Sequence, residues 1–413
     1  MGVLLAEDWK YPLPQMFRIK QKFKAGEIRI EDLENTIRSQ LHQEAVRQKL
    51  KPGQKIAVAV GSRGIRNLPL IVGTIVSELK QAGCEPFVLA AMGSHGGGTE
   101  EGQRQILANY GIRPDTVNAP VYANTNVRQI GSTKNGIPVY FDEAALEADL
   151  VVVVNRIKLH TDFVGELQSG LCKMLVIGLG NQVGCSAVHE ADPHEFAAVL
   201  EEAANIIIGK ANIGFGMAII ENGYDQTALV EAVPAETLVG REKELVRIAK
   251  DYMPGLMVKE IDVLVMKEIG KNVSGAGFDP NIVGRSSVLD EYVLAVPAVK
   301  KMVLLDLTDE SHGNGIGVGL FDVITRRVYE KLDLEQMYTN AVACKCTEDV
   351  KIPLIAACEE EAVRIAVKAS RGIDPAKLKL VRIKNTLELE YVEVSAALLP
   401  ELRNNPNVEI IGS

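Results

Sequence analysis

Residues Ala148 to Ile157 read ADLVVVVNRI, a β-branched apolar run with polar residues only near its ends. A strand with one wet face would alternate; a continuous Val run is what a parallel strand covered on both faces requires. Two earlier stretches have the same character, KIAVAVG (Lys55 to Gly61) and PFVLAAMG (Pro86 to Gly93), each ending in glycine. Between them lies a helical pattern from Leu68 to Gln81 that stops at Gly83, and Thr99-Glu100-Glu101 opens another that ends near Gly111. Strand, helix and strand in this rhythm predict an α/β layer with a mostly parallel sheet. Sheets of that kind hold ligands beyond the carboxyl ends of their strands, so the segments after each apolar run are where function is sought.

Further along, Phe215 to Val233 contains two strand-like runs around Asn222-Gly223, the strongest short hairpin signal. An amphipathic helix is expected over Glu236 to Tyr252, stopped by Pro254-Gly255, and the domain boundary is placed there. With 413 residues the chain exceeds one ordinary core, so two α/β domains are expected, 1–255 and 256–413, each with a mostly parallel or mixed sheet covered by helices. The second domain is expected to hold strands at Glu260 to Lys267 and Lys301 to Leu307, a long helix ending near Ala369, and the strand pair KLVRIKNTLELEYVEV. The active site is expected in the cleft between the domains, a common place for pockets.

Charge narrows the partners. Lys plus Arg number 45 against 54 Asp plus Glu, a net −9 with a pI near 5.4, which argues against nucleic acid or an anionic membrane as the main partner. The opening MGVLLAEDWKYPLPQ has no basic stretch leading into an apolar one, and no run reaches about 18 apolar residues, so a cytoplasmic protein with reduced thiols is expected. The six cysteines contain no CxxC pair; Cys344-Lys345-Cys346 reads as two thiols. Histidine is scarce, six in all, so where each one falls is informative.

Four segments carry chemistry-bearing residues. GSRGIRNLP (Gly61 to Pro69) follows a strand and offers Arg63 and Arg66 as forks for a carboxylate or phosphate. MGSHGGGTEEG (Met92 to Gly102) places His95 in a glycine-rich turn before a helix, where it titrates near neutrality as acid or base. The stretch Asn155 to Phe196 contains His160, Lys173 and His189; Lys173 lies near the start of an apolar helix, where the dipole disfavours a protonated amine. A lysine so placed and partly desolvated is a nucleophile or an attachment point, the alternative being an ordinary exposed lysine. His189 and His194 form a further metal-binding pair on paper, with Pro193 between them against one helical face. In the second domain, KEIGKNVSGAGFDPNIVGRSS (Lys267 to Ser287) supplies Lys271 and Arg285 for an anionic substrate. Gly178, Gly180 and Gly184 approximate a dinucleotide fingerprint, but the spacing is one residue too long and no acidic partner is evident.

Together these motifs resemble the nickel-pincer lactate racemase family across most of the chain. The resemblance rests on Arg66 ahead of Pro69, on Gly93-Ser94-His95 with Thr99-Glu100-Glu101, on His160 before Ser169-Gly170-Leu171-Cys172-Lys173, and on His189 after that lysine. It implies an isomerase, a racemase or epimerase of a 2-hydroxy acid, in which the α-hydrogen leaves as hydride and returns to the opposite face. The implied cofactor is the nickel-pincer nucleotide (pyridinium-3,5-bisthiocarboxylic acid mononucleotide), attached at Lys173, with its nickel also held by His189. His95 and His160 are the implied bases, Arg66 the implied substrate arginine, and the glycine-rich turns the implied seat of the nucleotide phosphate. Leu171 and Cys172 depart from the family's second glycine and the residue before its lysine. After Asn281, Gly284 and Ser287 stand where the family has substrate-binding Gln and Lys, so Lys271 and Arg285 are assigned that role and a larger or more acidic substrate than lactate is expected. Partners implied are a small hydroxy acid and, transiently, the enzymes that build the cofactor, with homo-oligomerisation left open. Two alternatives remain at this stage. One is a zinc-dependent lyase or hydrolase using His189 with His160 or His194 and Lys173 as base, and the other is a non-catalytic small-molecule-binding protein.

Overall fold

The computed structural model describes residues 3–289, 291–292 and 294–412. The chain divides into two compact units, Lys24–Met253 and a second made of Met1–Phe23 with Pro254–Ser413.

The first unit is built on a six-stranded sheet in the order Val121–Tyr122, Glu85–Ala90, Lys55–Val60, Leu150–Arg156, Ile213–Glu221, Thr227–Pro234. All neighbours run parallel except the last pair. The Val run that decides the fold forms one of the two central strands, and Val151 through Val154 are wholly buried. Alternate residues face opposite layers. Ile56, Val58, Val60, Val152 and Val154 pack with Leu33, Ile37, Ile71 and Ile75 from the helices Ile30–Leu41 and Leu68–Gln81. On the other face Ala57, Ala59, Val151 and Val153 are as deeply buried, and the segments Leu171–Lys173 and Leu238–Tyr252 lie against the sheet there.

The helix over Leu68–Gln81 and the Thr99 cap, whose hydroxyl accepts from the Gly102 N–H at 3.1 Å, agree with the sequence reading. The hairpin after Phe215 also forms, but its turn is wider than a two-residue Asn-Gly turn. Asn222 N–H bonds to the Gln226 carbonyl at 2.9 Å, and the left-handed residue is Asp225. A separate two-stranded antiparallel sheet, Val127–Ser132 with Pro138–Asp142, has no counterpart in the sequence reading.

The second unit holds an eight-stranded mixed sheet in the order Leu354–Ala356, Val323–Thr325, Ala298–Leu304, Glu260–Met266, Leu380–Ile383, Tyr391–Ser395, Met16–Gln21, Val408–Gly412. The first five are parallel and the rest antiparallel. Met1–Phe23, which the sequence reading assigns to the first domain, joins this unit because Met16–Gln21 fills the slot between Tyr391–Ser395 and Val408–Gly412. Gln21 fixes it there. Its amide donates to the carbonyls of Leu389 (2.7 Å) and Gly255 (3.2 Å), and its oxygen accepts from Met257 N–H (2.8 Å). Among the described residues no single helix is long and apolar enough to cross a membrane.

Ile19, wholly buried on this inserted strand, pairs with Val392 and Ile410. Ile19→Ala is expected to cost about 2–5 kcal/mol in urea unfolding. Hydrogen exchange should quicken in Tyr391–Ser395 and Val408–Gly412 and stay unchanged in the six-stranded sheet.

Candidate active site

From Lys55–Val60 the chain builds the first unit's sheet outward to one side, then returns with Leu150–Arg156 on the other. The loops leaving these two strands diverge, and the crevice between them is the switch point of the sheet. Three loops meet at it: Gly61 to Arg66, Ala91 to Thr99, and Ile157 to Ser169.

His95 lies in the second of these. Gly96, Gly97 and Gly98 follow it with φ of 68°, 67° and 66°, left-handed conformations that residues with a Cβ rarely adopt. An alanine at Gly98 would meet the Gln182 side chain 2.2 Å from its Cβ. The chain thus reverses within four residues, and Thr99 starts the next helix. The Gly98 and Thr99 N–H groups are used inside the turn, on the carbonyls of His95 and Gly96 at 3.3 Å each, so these two do not form an anion nest. Arg63 NH2 sits 3.4 Å from His95 Nε2. Guanidinium only donates, so Nε2 is the acceptor, the ring proton is on Nδ1, and Nδ1–H donates to Ser62 Oγ. His95 is therefore held as a neutral imidazole with its basic nitrogen beside a cation.

Lys173 is placed by a strapped loop. Lys158 and Ser169 exchange backbone hydrogen bonds of 2.9 and 3.1 Å, and the Asn155 side chain donates to the Gly170 carbonyl at 2.8 Å. A helix then begins, α over Leu171–Lys173 and π over Met174–Gly178, and the chain bends by 109° into the helix Asn181–Val188. The near-fingerprint glycines make this bend and its contacts. Gly178 lies so close to the Ala91 carbonyl that a Cβ would come within 2.8 Å, and its own carbonyl accepts from Gly93 N–H at 3.1 Å.

The Lys173 amine meets His160 Nε2. His160 Nδ1 accepts from the Asp162 backbone N–H at 3.1 Å, so the neutral ring carries its proton on Nε2 and donates to Lys173. Only a neutral amine has the lone pair to receive it. Burial acts in the same direction: it lowers the Lys173 pKa to about 8, with Asp162 opposing and Arg63 and Lys158 assisting. Burial, then the charges of Lys173 and Lys158, hold His160 well below the usual histidine range.

His189 ends the helix Asn181–Val188, and its Nδ1–H donates to the Cys185 carbonyl at 2.7 Å. In the neutral ring this leaves the lone pair on Nε2, the arrangement of a metal-binding imidazole, while burial lowers the His189 pKa and the contacts with Cys185 outweigh it and raise it. Its ring belongs to an aromatic file. His160 stacks on Phe163 with centroids 4.2 Å apart, Phe163 on Phe196 at 4.5 Å, and Phe196 meets His189 at 5.2 Å. Two nearly buried phenylalanines thus set the two histidines relative to each other. The Cys185 thiol lies 3.6 Å from His189 Nδ1 and donates to Ser94 Oγ at 3.9 Å, linking this helix to the His95 turn.

The structure thus gathers His95, His160, Lys173 and His189 around one crevice. The other expected residues are engaged elsewhere. Arg66 is exposed, and what it fixes is its backbone, whose N–H donates to Glu221 at 2.5 Å; Arg156 occupies the other oxygen of that carboxylate. In the second unit, Lys271 donates to the Gly275 carbonyl at 2.8 Å. Arg285 is committed to Asp322 (2.6 Å) and the carbonyls of Leu320 and Lys300. His42 pairs with Glu78 at 2.9 Å, His194 is exposed, and His312 occupies a left-handed helix end. Among the described residues no group of three or more His, Cys, Asp or Glu side chains is placed to hold a metal, whereas a catalytic zinc takes three protein ligands.

Two residues stand out that the sequence reading passed over. Arg63, named there but not chosen, has the side chain that reaches His95. Glu242 is wholly buried, and its carboxylate accepts from the Cys172 N–H at 2.7 Å. Burial pushes its pKa up to about 7 against the pull of the Cys172 and Leu171 N–H groups. A signal for it exists in the sequence, because Leu238, Glu242, Leu245, Val246 and Ala249 form one helix face on which only Glu242 is charged.

Comparison with known proteins places these features. Residues 13–198 match a family model described as the lactate racemase N-terminal domain. That span contains His95, His160, Lys173 and His189. No curated protein matches the chain. Among solved structures, the lactate racemase apoprotein from Thermoanaerobacterium thermosaccharolyticum aligns with a TM-score of 0.55 at 12% identity, over 91% of this chain and 99% of that one. At that identity the likeness speaks for the fold. By the family match, residues 13–198 of this chain are similar to the lactate racemase N-terminal domain.

Proposed function

We propose that the protein is a racemase or epimerase of a 2-hydroxy acid that works with a nickel-pincer nucleotide attached at Lys173. The observation that carries this reading is the pairing of His95 Nε2 with Arg63 NH2 at 3.4 Å, opposite a lysine whose amine meets a second histidine. A 2-hydroxy acid has its carboxylate next to its hydroxyl. A cation and a neutral base at that spacing match the two groups, with Arg63 on the carboxylate and His95 Nε2 on the hydroxyl proton.

The residues fit the cofactor on two counts. Burial lowers the Lys173 pKa to about 8 and so favours the neutral amine that acylates, and His189, with its Nδ1–H on a carbonyl, presents Nε2 to a metal that accepts imidazole. When bound, the group would supply a hydride acceptor. Everything else falls to this chain. His95 takes the hydroxyl proton through Nε2 while Ser62 holds its Nδ1–H. His160 serves the other face. Acylation of Lys173 removes one of the positive charges that depress His160, so the modified site moves this ring toward the protonated form a proton donor needs. Phe163 stacks on the half-buried His160 ring and shields that face from water. Arg63 takes the place that the family resemblance assigns to Arg66, because of the two it is the one whose side chain reaches the base.

Protein produced together with the cofactor's biosynthetic enzymes is expected to carry a mass adduct on Lys173 and bound nickel, and to interconvert the enantiomers of at least one member of a 2-hydroxy-acid panel. Absence of both adduct and nickel overturns the proposal. In unmodified protein, acylation of Lys173 followed by peptide mass spectrometry should rise through a midpoint near pH 8. Below it the amine is protonated and unreactive, while ordinary lysines climb only toward about 10.4. Arg63→Ala is expected to lower kcat/KM by about 10–100-fold, the worth of a charge-assisted hydrogen bond, mainly through KM. Arg66→Ala should change it less, and the reverse ranking would assign the carboxylate to Arg66.

A further inference from the structure

The helix that presents Lys173 starts without a cap of its own. Its N-cap is Gly170, which has no side chain to accept from the first N–H groups. Such groups are otherwise orphaned, and a start buried this deeply excludes water as their partner. Leu171 and Cys172 are both wholly buried. From the helix Leu238–Tyr252, Glu242 reaches across and its Oε2 accepts from Cys172 N–H at 2.7 Å. The second oxygen lies directly over Gly170, where an added Cβ would stand 2.2 Å from Oε1. On the opposite side, Gly216 leaves room for Leu171, whose side chain would lie 2.5 Å from a Cβ there.

We propose that Glu242 is the positioning residue of Lys173. It supplies in trans the cap that Gly170 lacks, and so fixes the register of the first turn and the direction in which the Lys173 amine meets His160. Lys173 is the third residue of this helix, so a frayed first turn displaces it directly. The packing is mutual. Glycine at 170 admits the carboxylate, and the carboxylate occupies the position a capping side chain at 170 would have filled. Glu242 lies outside the span matched by the racemase domain, while the turn it caps, Leu171-Cys172-Lys173, lies inside it. The role assigned to Lys173 rests on the proposed function; the cap itself does not.

Two measurements on the unmodified protein separate these. Hydrogen exchange over the peptide containing residues 169–178 reads the cap, and acylation of Lys173, normalised to the chain's other lysines, reads its consequence. Glu242→Ala, with unchanged far-ultraviolet circular dichroism, is expected to speed exchange at the first turn by about tenfold, to lower the relative labelling of Lys173 severalfold, and to move its pH midpoint upward. Glu242→Gln keeps an acceptor oxygen in place and should retain both parent values to within about twofold. If the alanine variant is insoluble, Glu242→Asp, one methylene shorter, is read in its place and is expected to behave as alanine does. A folded alanine or aspartate variant with parental exchange and labelling overturns the proposal, as does a glutamine variant that loses as much as alanine. Should Lys173 show no exceptional reactivity even in the parent, the attachment reading fails while the exchange result still decides the cap.

Discussion

Parallel pairing between Lys55–Val60 and Leu150–Arg156 is the constraint on which the first unit depends. Two parallel strands cannot be joined by a tight turn, so the chain between them must travel away, and here it does so through Glu85–Ala90 on the far side. All three strands consequently release their chains at the same edge of the sheet. Backbone directions alone bring Ser62, Arg63, His95 and His160 together before any side chain is considered. The apolar Val run makes this possible by tolerating burial on both faces; a charged residue at Val152 or Val154 would need a partner inside the core.

How much of this is legible in the sequence follows from how local each signal is. The parallel strands and the helix Leu68–Gln81 are legible because burial on both faces leaves a continuous apolar run and because glycine punctuates its end. Met16–Gln21 is not, since MFRIKQ alternates only over Phe17 to Lys20, too short a run to mark a strand, and its partners lie at the far end of the chain, Ser395 to Tyr391 and Gly412 to Val408. No local pattern announces a strand whose pairing is that remote. His95 and His160 are legible because each follows a strand and histidine is scarce, Lys173 because it follows the Ser169-Gly170 turn, and His189 by histidine's scarcity alone. Choosing between Arg63 and Arg66 is beyond local pattern, because both sit in one short loop and only the direction of the side chain separates them. Glu242 hides among the Glu, Lys and Arg of an amphipathic helix, although its place on the apolar face marks it.

The charges of the site help to favour the neutral forms of Lys173 and His160. Arg63, Lys158 and Lys173 act together on His160, and Asp162 opposes them at Lys173. Desolvation and mutual repulsion leave the amine and the imidazole as the groups that give up their protons, since a guanidinium does so only far above physiological pH. The permanent cation that remains is Arg63, beside a neutral His95 and a Lys173 ready to lose its charge altogether by acylation. An anionic ligand entering such a place neutralises Arg63 and in doing so weakens its hold on His95 Nε2, releasing that lone pair at the moment a hydroxyl arrives. On the proposed function, the carboxylate bound by Arg63 would therefore unmask the base that acts on the neighbouring hydroxyl, a reason for an arginine to stand in front of His95 instead of beside it.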